Sequence, residues 1–305
     1  MKRIILCILA LLSPFLLKGQ MFPLSDHYLI DALDINPAFA GCHDALSTSL
    51  IFRDQWVGFR NSPKSYLLSA HAPVDNDKIG LGLVVEKNSI GIYNETSFIG
   101  NYAYRIELEN GKLALGLGLG VTIYNTAWNE LIAADAGDAQ LSNTSERTVL
   151  PAVSLGTYYY TRKFYVGFSI PVLLGYETYK NSGKYKLGNN FSGSNYFITG
   201  GYEAEISRLV KFLPSILIKY HPGNAVQIDY NAQVSLKDKL WLGIGYRNSK
   251  TLVGMLQCQL NYQIRMAYSY DYCLGVVGKY MSGSHEIVLN YKFRYARTVM
   301  GPRYF

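Results

Sequence analysis

Residues 113–124 read LALGLGLGVTIY, and their odd and even positions belong to two different environments. Leu113, Leu115, Leu117, Leu119, Val121 and Ile123 are apolar. Ala114, Gly116, Gly118, Gly120, Thr122 and Tyr124 are small or polar. Successive side chains of a β-strand point to opposite faces, so this period of two describes a strand with one greasy and one small or polar face. Strands of soluble sheets average about five or six residues. A strand that crosses a bilayer at a tilt needs about ten, and this run is of that length. The glycines do not read as a phosphate loop, because no strand–turn–helix unit and no Gly-Lys-Ser/Thr ending accompany them. On the inner face of a barrel they leave room for a plug or a bend.

The pattern recurs outward from there. Val226, Ile228, Tyr230, Ala232, Val234 and Leu236 alternate with Gln227, Asp229, Asn231, Gln233 and Ser235. Phe98, Gly100, Tyr102, Tyr104, Ile106 and Leu108 alternate with Ile99, Asn101, Ala103, Arg105 and Glu107, and Ile287, Leu289, Tyr291 and Phe293 with Glu286, Val288, Asn290 and Lys292. Fourteen such segments are expected, at 46–58, 65–74, 78–87, 95–108, 112–125, 149–160, 163–171, 195–206, 210–220, 225–236, 240–248, 251–260, 262–272 and 284–293. Counted from the first hairpin, the even-numbered connections are all tight. The longest ones, 126–148, 172–194 and 273–283, are all odd-numbered. Outer-membrane barrels have short periplasmic turns and longer outer loops. Hydrocarbon offers backbone groups no partner, so membrane strands must close into a ring. The expected fold is therefore all-β, a transmembrane antiparallel β-barrel of about 14 strands in the outer membrane, with both termini periplasmic. Pro214, inside one segment, predicts a bulge or kink. So wide a ring needs filling, by water, by the long loops or by the N-terminal segment 20–45, a candidate plug.

Composition agrees. Aromatic residues make up 14%, 26 of them Tyr, and charged residues only 17%, against about 25% charged in soluble domains. Aromatic girdles at the membrane interfaces account for such a bias. Lys2 and Arg3 followed by the apolar run from Ile4 to Leu17 read as a signal peptide, residues 1–19, cut near Gly19/Gln20. Removing it takes away three basic residues and lowers the formal charge from +7 to +4. That charge, dispersed among acidic residues, does not suit a nucleic-acid partner. Three cysteines remain, Cys42, Cys258 and Cys273, without metal-ligand spacing; a Cys258–Cys273 or Cys42–Cys273 bridge is open. His27, His43, His71, His221 and His285 are dispersed, so neither a metal, a cofactor nor a catalytic set is expected.

Two groups of residues are candidates for function. Arg105, Glu107, Glu203, Glu205, Gln227, Asp229, Asn231 and Gln233 are expected to face the lumen, where they line a pore or, as favoured here, bond to a lumen-filling segment. Asn36, Pro37, Gly41, Arg53, Gln55, Trp56, Gly58 and Pro63 are the candidates for an interaction surface or plug. The expected organisation is 1–19 signal peptide, 20–45 periplasmic or plug segment, 46–293 barrel and 294–305 tail.

The second group lies in NPAFAG (Asn36–Gly41) and FRDQWVGFRNSPKSY (Phe52–Tyr66). After them come NYAYRIEL (Asn101–Leu108), FYVGFSIP (Phe164–Pro171), TGGYEAE (Thr199–Glu205), FLPSILIKY (Phe212–Tyr220), GIGYR (Gly243–Arg247), AYSYDY (Ala267–Tyr272) and GSHEIVLNYKF (Gly283–Phe293). In this order and spacing they resemble the PorP/SprF family of the type IX secretion system of Bacteroidota, over residues 21–293. The resemblance implies a non-enzymatic outer-membrane barrel that docks periplasmic ring and peptidoglycan-associated proteins. It also implies export or attachment of a large secreted adhesin in gliding bacteria. A porin for small solutes is the alternative.

Overall fold

The computed structural model describes residues 25–43, 45–74, 77–128, 146–178, 185–188, 194–222 and 224–293. Fourteen antiparallel strands form one closed barrel, the number and class expected. They are β1 (Ser47–Asp54), β2 (Lys64–Val74), β3 (Ile79–Ile90), β4 (Tyr93–Leu108), β5 (Gly111–Thr126), β6 (Glu146–Tyr160) and β7 (Phe164–Ile170). β8 runs as Tyr196–Tyr202 and then Ala204–Ser207. There follow β9 (Val210–Tyr220), β10 (Gln227–Leu236), β11 (Leu240–Arg247), β12 (Thr251–Gln259), β13 (Ile264–Cys273) and β14 (Ser284–Lys292). Each strand pairs with the next in sequence, and β1 closes the ring on β14 from Ser47↔Lys292 to Asp54↔His285. A separate two-stranded hairpin, Gly175–Thr178 with Tyr185–Gly188, stands in the connection after β7 and was not expected from the sequence.

The alternation becomes two surfaces. Outward-facing Leu83, Tyr102, Leu117, Leu119, Val166 and Ile244 are exposed, as a lipid-facing band requires. Inward-facing Ser49, Ser69, Asn101, Ala114, Ser154 and Asn290 are buried. All long connections lie at one end of the barrel, here the long-connection end. The turns joining β2–β3, β4–β5, β6–β7, β8–β9, β10–β11 and β12–β13 lie at the other, the short-turn end.

The irregularity foreseen at Pro214 falls on its neighbour. β9 runs unbroken through Pro214, which stands opposite Ala232 of β10. On the other side Gly201 pairs with Ser215 and Ala204 with Phe212, while Tyr202 and Glu203 are unpaired with β9. The physical reason follows from the alternation of backbone direction. Glu203 N–H donates to Lys163 O at 2.6 Å, towards β7. The backbone groups of Tyr202 therefore face β9, where proline has no N–H to give. A register shift between Glu205 and Ser207 follows three residues later.

None of the described cysteines is in a disulfide, so neither open pairing forms: Cys42 is buried, and Cys258 and Cys273 are half-buried. The expected leader 1–19, residues 20–24 and the tail 294–305 lie outside the described residues.

Candidate functional site

Residues 26–43 lie inside the barrel. Leu33, Ile35, Ala38, Phe39 and Ala40 form one apolar cluster with the inward faces of Leu67, Val84, Ala103, Ala114, Tyr158 and Leu217. Two short 3-10 turns, His27–Leu29 and Pro37–Phe39, fold the segment onto itself. One glycine of the opening stretch makes room for it: a Cβ on Gly116 would collide with the backbone of Pro37 and Ala38. Phe39 packs edge-on against His43, His71 and Tyr158, with ring centroids 5.5–5.6 Å apart.

Towards the short-turn end, polar contacts hold the segment by its backbone. Asn36 caps the second 3-10 turn by accepting from Ala38 N at 3.0 Å, and its amide donates to Thr157 O at 3.0 Å. Pro37 occupies the first position of that turn, where its missing N–H is harmless. Ser169 donates to Ile35 O at 2.6 Å. Arg105 bridges wall and segment, donating to Asp77 O at 2.7 Å and to Ala40 O at 2.5 Å. Gly41, at φ +68°, donates its N–H to His71 Nδ1 at 3.0 Å. No residue with a Cβ fits there, since that atom would clash with Arg105. Midway, Asp31 accepts from Ser49 at 2.7 Å and from Ser69.

Towards the long-connection end the contacts are ionic. Asp26 binds Arg247, accepts from Ser269 Oγ at 3.0 Å and lies 3.6 Å from Arg53. Its own N–H donates to Glu286 Oε1 at 3.0 Å. Arg53 also reaches Glu286 at 3.2 Å and Asp271, while Arg247 reaches Asp271 at 2.8 Å and Asp229 at 3.6 Å. Lys219 lies 3.8 Å from Asp229. These strand residues come from β1, β9, β10, β11, β13 and β14, and all are at most 9% exposed at the side chain. Next in the segment, Tyr28 Oη accepts from Asn231 at 2.5 Å. His27 bridges Asp34 at 3.0 Å and Glu286 at 3.7 Å.

The structure thus divides the candidates. Arg105, Asp229, Asn231 and Gln233 are buried inside, Gln233 accepting from Gln257 at 3.2 Å, and Gln227 donates to Asp229 at 2.9 Å. Glu203 pairs with Lys211 at 3.3 Å beside the interruption in β8. Glu107 and Glu205 stand exposed at the short-turn end, away from the segment, Glu107 lying 3.6 Å from Lys112. Asn36, Pro37, Gly41 and Arg53 belong to the lumen segment or its anchors. Gln55, Trp56, Gly58 and Pro63 instead build the long-connection rim. There Gln55 N donates to Pro63 O at 2.9 Å, Trp56 N to Ser284 Oγ at 3.2 Å and Val57 N to Gly283 O at 2.9 Å. Gly58, at φ +103°, turns that rim. The sequence reading named neither Asp26, Asp31, His71, Arg247, Asp271 nor Glu286 as site residues. Inward parity was the available signal for the strand residues: Arg247 follows Gly243 and Gly245 at intervals of two, and Glu286 precedes Val288 and Asn290.

Among solved structures, one channel shares this architecture and two further membrane proteins show a looser likeness. The monoaromatic hydrocarbon channel CymD superposes with a TM-score of 0.55 at 12% identity, covering 92% of this chain and 96% of that one. The toluene transporter TodX of P. putida gives 0.46 at 9% identity, covering 89% and 95%. Omp33 of Acinetobacter baumannii gives 0.47 at 7% identity, covering 83% and 100%. At these identities the likeness to CymD concerns the fold alone. No curated protein sequence matches the chain. The family model of the type IX secretion system membrane protein PorP/SprF matches residues 18–291, nearly the whole chain. With the closed barrel of fourteen strands described above, the match makes this chain a member of the PorP/SprF family, a membrane component of type IX secretion built as an outer-membrane β-barrel.

Proposed function

We propose that this barrel serves type IX secretion by docking and not by conduction. Its short-turn end engages periplasmic ring and peptidoglycan-associated proteins, and its long-connection rim engages a secreted surface protein such as a large adhesin. No catalytic step is part of this role. The observation that carries the reading is the lumen segment, residues 26–43, packed against strands around the barrel and tied by buried ion pairs. A barrel whose interior is committed to its own chain offers its two ends, and not its bore, to other molecules. Family membership supplies the system to which those molecules belong.

The test is a pull-down of the tagged full-length protein from native membranes in mild detergent, read by mass spectrometry. Recovery of secretion-ring proteins or of one large surface protein supports docking. A barrel recovered alone in several detergents contradicts it.

The second reading, a porin, is favoured by a cleft between the segment and the wall. It is lined by Tyr28, Phe39, Tyr165, Ser215, Trp241 and Arg265. Stable conductance steps from the unaltered protein in planar bilayers would select it.

A further inference from the structure

We infer that the lumen segment is fixed at one end only and opens from the long-connection mouth. The inference rests on the segment closing the lumen, as proposed above.

The two ends are held by different physics. At the short-turn end the chain continues directly into β1 at Ser47. There the backbone of Pro37 and Ala38 lies against Gly116, and the Ala40 carbonyl lies against Gly80, each so close that a Cβ on the glycine would collide. Arg105 clasps the Ala40 carbonyl, and Gly41 turns the chain at φ +68°. Backbone packed at this distance leaves only if the wall moves with it.

At the opposite end, among the described residues, no glycine of the wall cradles the backbone of Asp26. Asp26 is held by polar contacts instead: its carboxylate meets Arg247, Arg53 at 3.6 Å and the Ser269 hydroxyl at 3.0 Å, and its N–H donates to the Glu286 carboxylate at 3.0 Å. Its partners place it along the barrel axis. Arg247 is the last residue of β11, Glu286 the third of β14 and Arg53 the last but one of β1. All three stand next to the long connections. The segment therefore runs from that mouth down to the short turns, and Ser25 stands at the mouth. A partner seated on the long-connection rim is adjacent to the end that can be released. One seated on the short turns meets the end that cannot.

Charge-assisted contacts of this kind break by exchange of partners, and neutralising one member leaves the others uncompensated. Replacing Asp26 by Asn should then free the outer end while the inner end stays in place.

The experiment is thiol accessibility on intact cells with a bulky, membrane-impermeant maleimide, scored by gel shift. The background carries Ser at Cys42, Cys258 and Cys273. Arg60→Cys, in the first long connection, and Lys237→Cys, in a short turn, report the two faces. Ser25→Cys is expected to react from the same face as Arg60→Cys. Adding Asp26→Asn should raise its rate roughly tenfold, the scale of losing one charged hydrogen bond, while His43→Cys stays protected. Labelling of Ser25→Cys from the Lys237 face, or from neither, overturns the direction. An unchanged rate with Asp26→Asn overturns the latch, and equal exposure of His43→Cys overturns the fixed end. Each of these results is independent of whether partners are recovered in the pull-down.

Discussion

At the scale of single residues, the lumen is organised by where charge and side-chain volume are missing as much as by where they are present. Gly116 has no Cβ because the backbone at Ala38 occupies that space. Gly254 also lies in a strand, but its missing side chain points into open space. Gly116→Val is expected to lower the melting temperature in detergent, at the roughly 1–3 kcal/mol of an overpacked core, and Gly254→Val to leave it nearly unchanged. Equal effects would show that the segment does not press on β5.

At the scale of elements, period two carried almost everything. β4 and β5 run sixteen residues each, and the alternation that decides which of their side chains face inward is plain in the sequence. The hairpin Gly175–Thr178/Tyr185–Gly188 escaped, because four residues are too few to establish a period. Pro214 announced a defect but not its address. A proline's missing N–H is felt by whichever neighbour its backbone faces, and that depends on pairing across strands. The resulting gap opposite Tyr202 should be visible dynamically. In hydrogen exchange, amides of residues 202–207 are expected to exchange faster than those of β4 and β5, whose ladders are continuous. Protection equal to that of β4 would mean that the gap is closed by other bonds.

At the scale of the whole molecule, the barrel was legible because a membrane imposes its own arithmetic on strand length, strand number and loop parity. The filling of the lumen was less so. NPAFAG could be singled out as a motif, and inward polar residues such as Asp229 and Asn231 could be read from parity. Nothing local in Asp26 indicates that it meets Arg247, 221 positions away. Contacts between a segment without period and a wall built from the entire chain exist only once the ring has closed. For the same reason Gln55 and Trp56, grouped with Asn36 and Pro37 by proximity in sequence, turn out to shape the rim instead.

A barrel that closes its own lumen and works through its ends should not conduct. Single-channel recording in planar bilayers tests this most directly, comparing the unaltered protein with Asp26→Asn. The unaltered barrel is expected to be silent and the variant to give discrete, intermittent conductance steps, as its outer end comes free. A steady conductance from the unaltered protein, indifferent to Asp26, would contradict it.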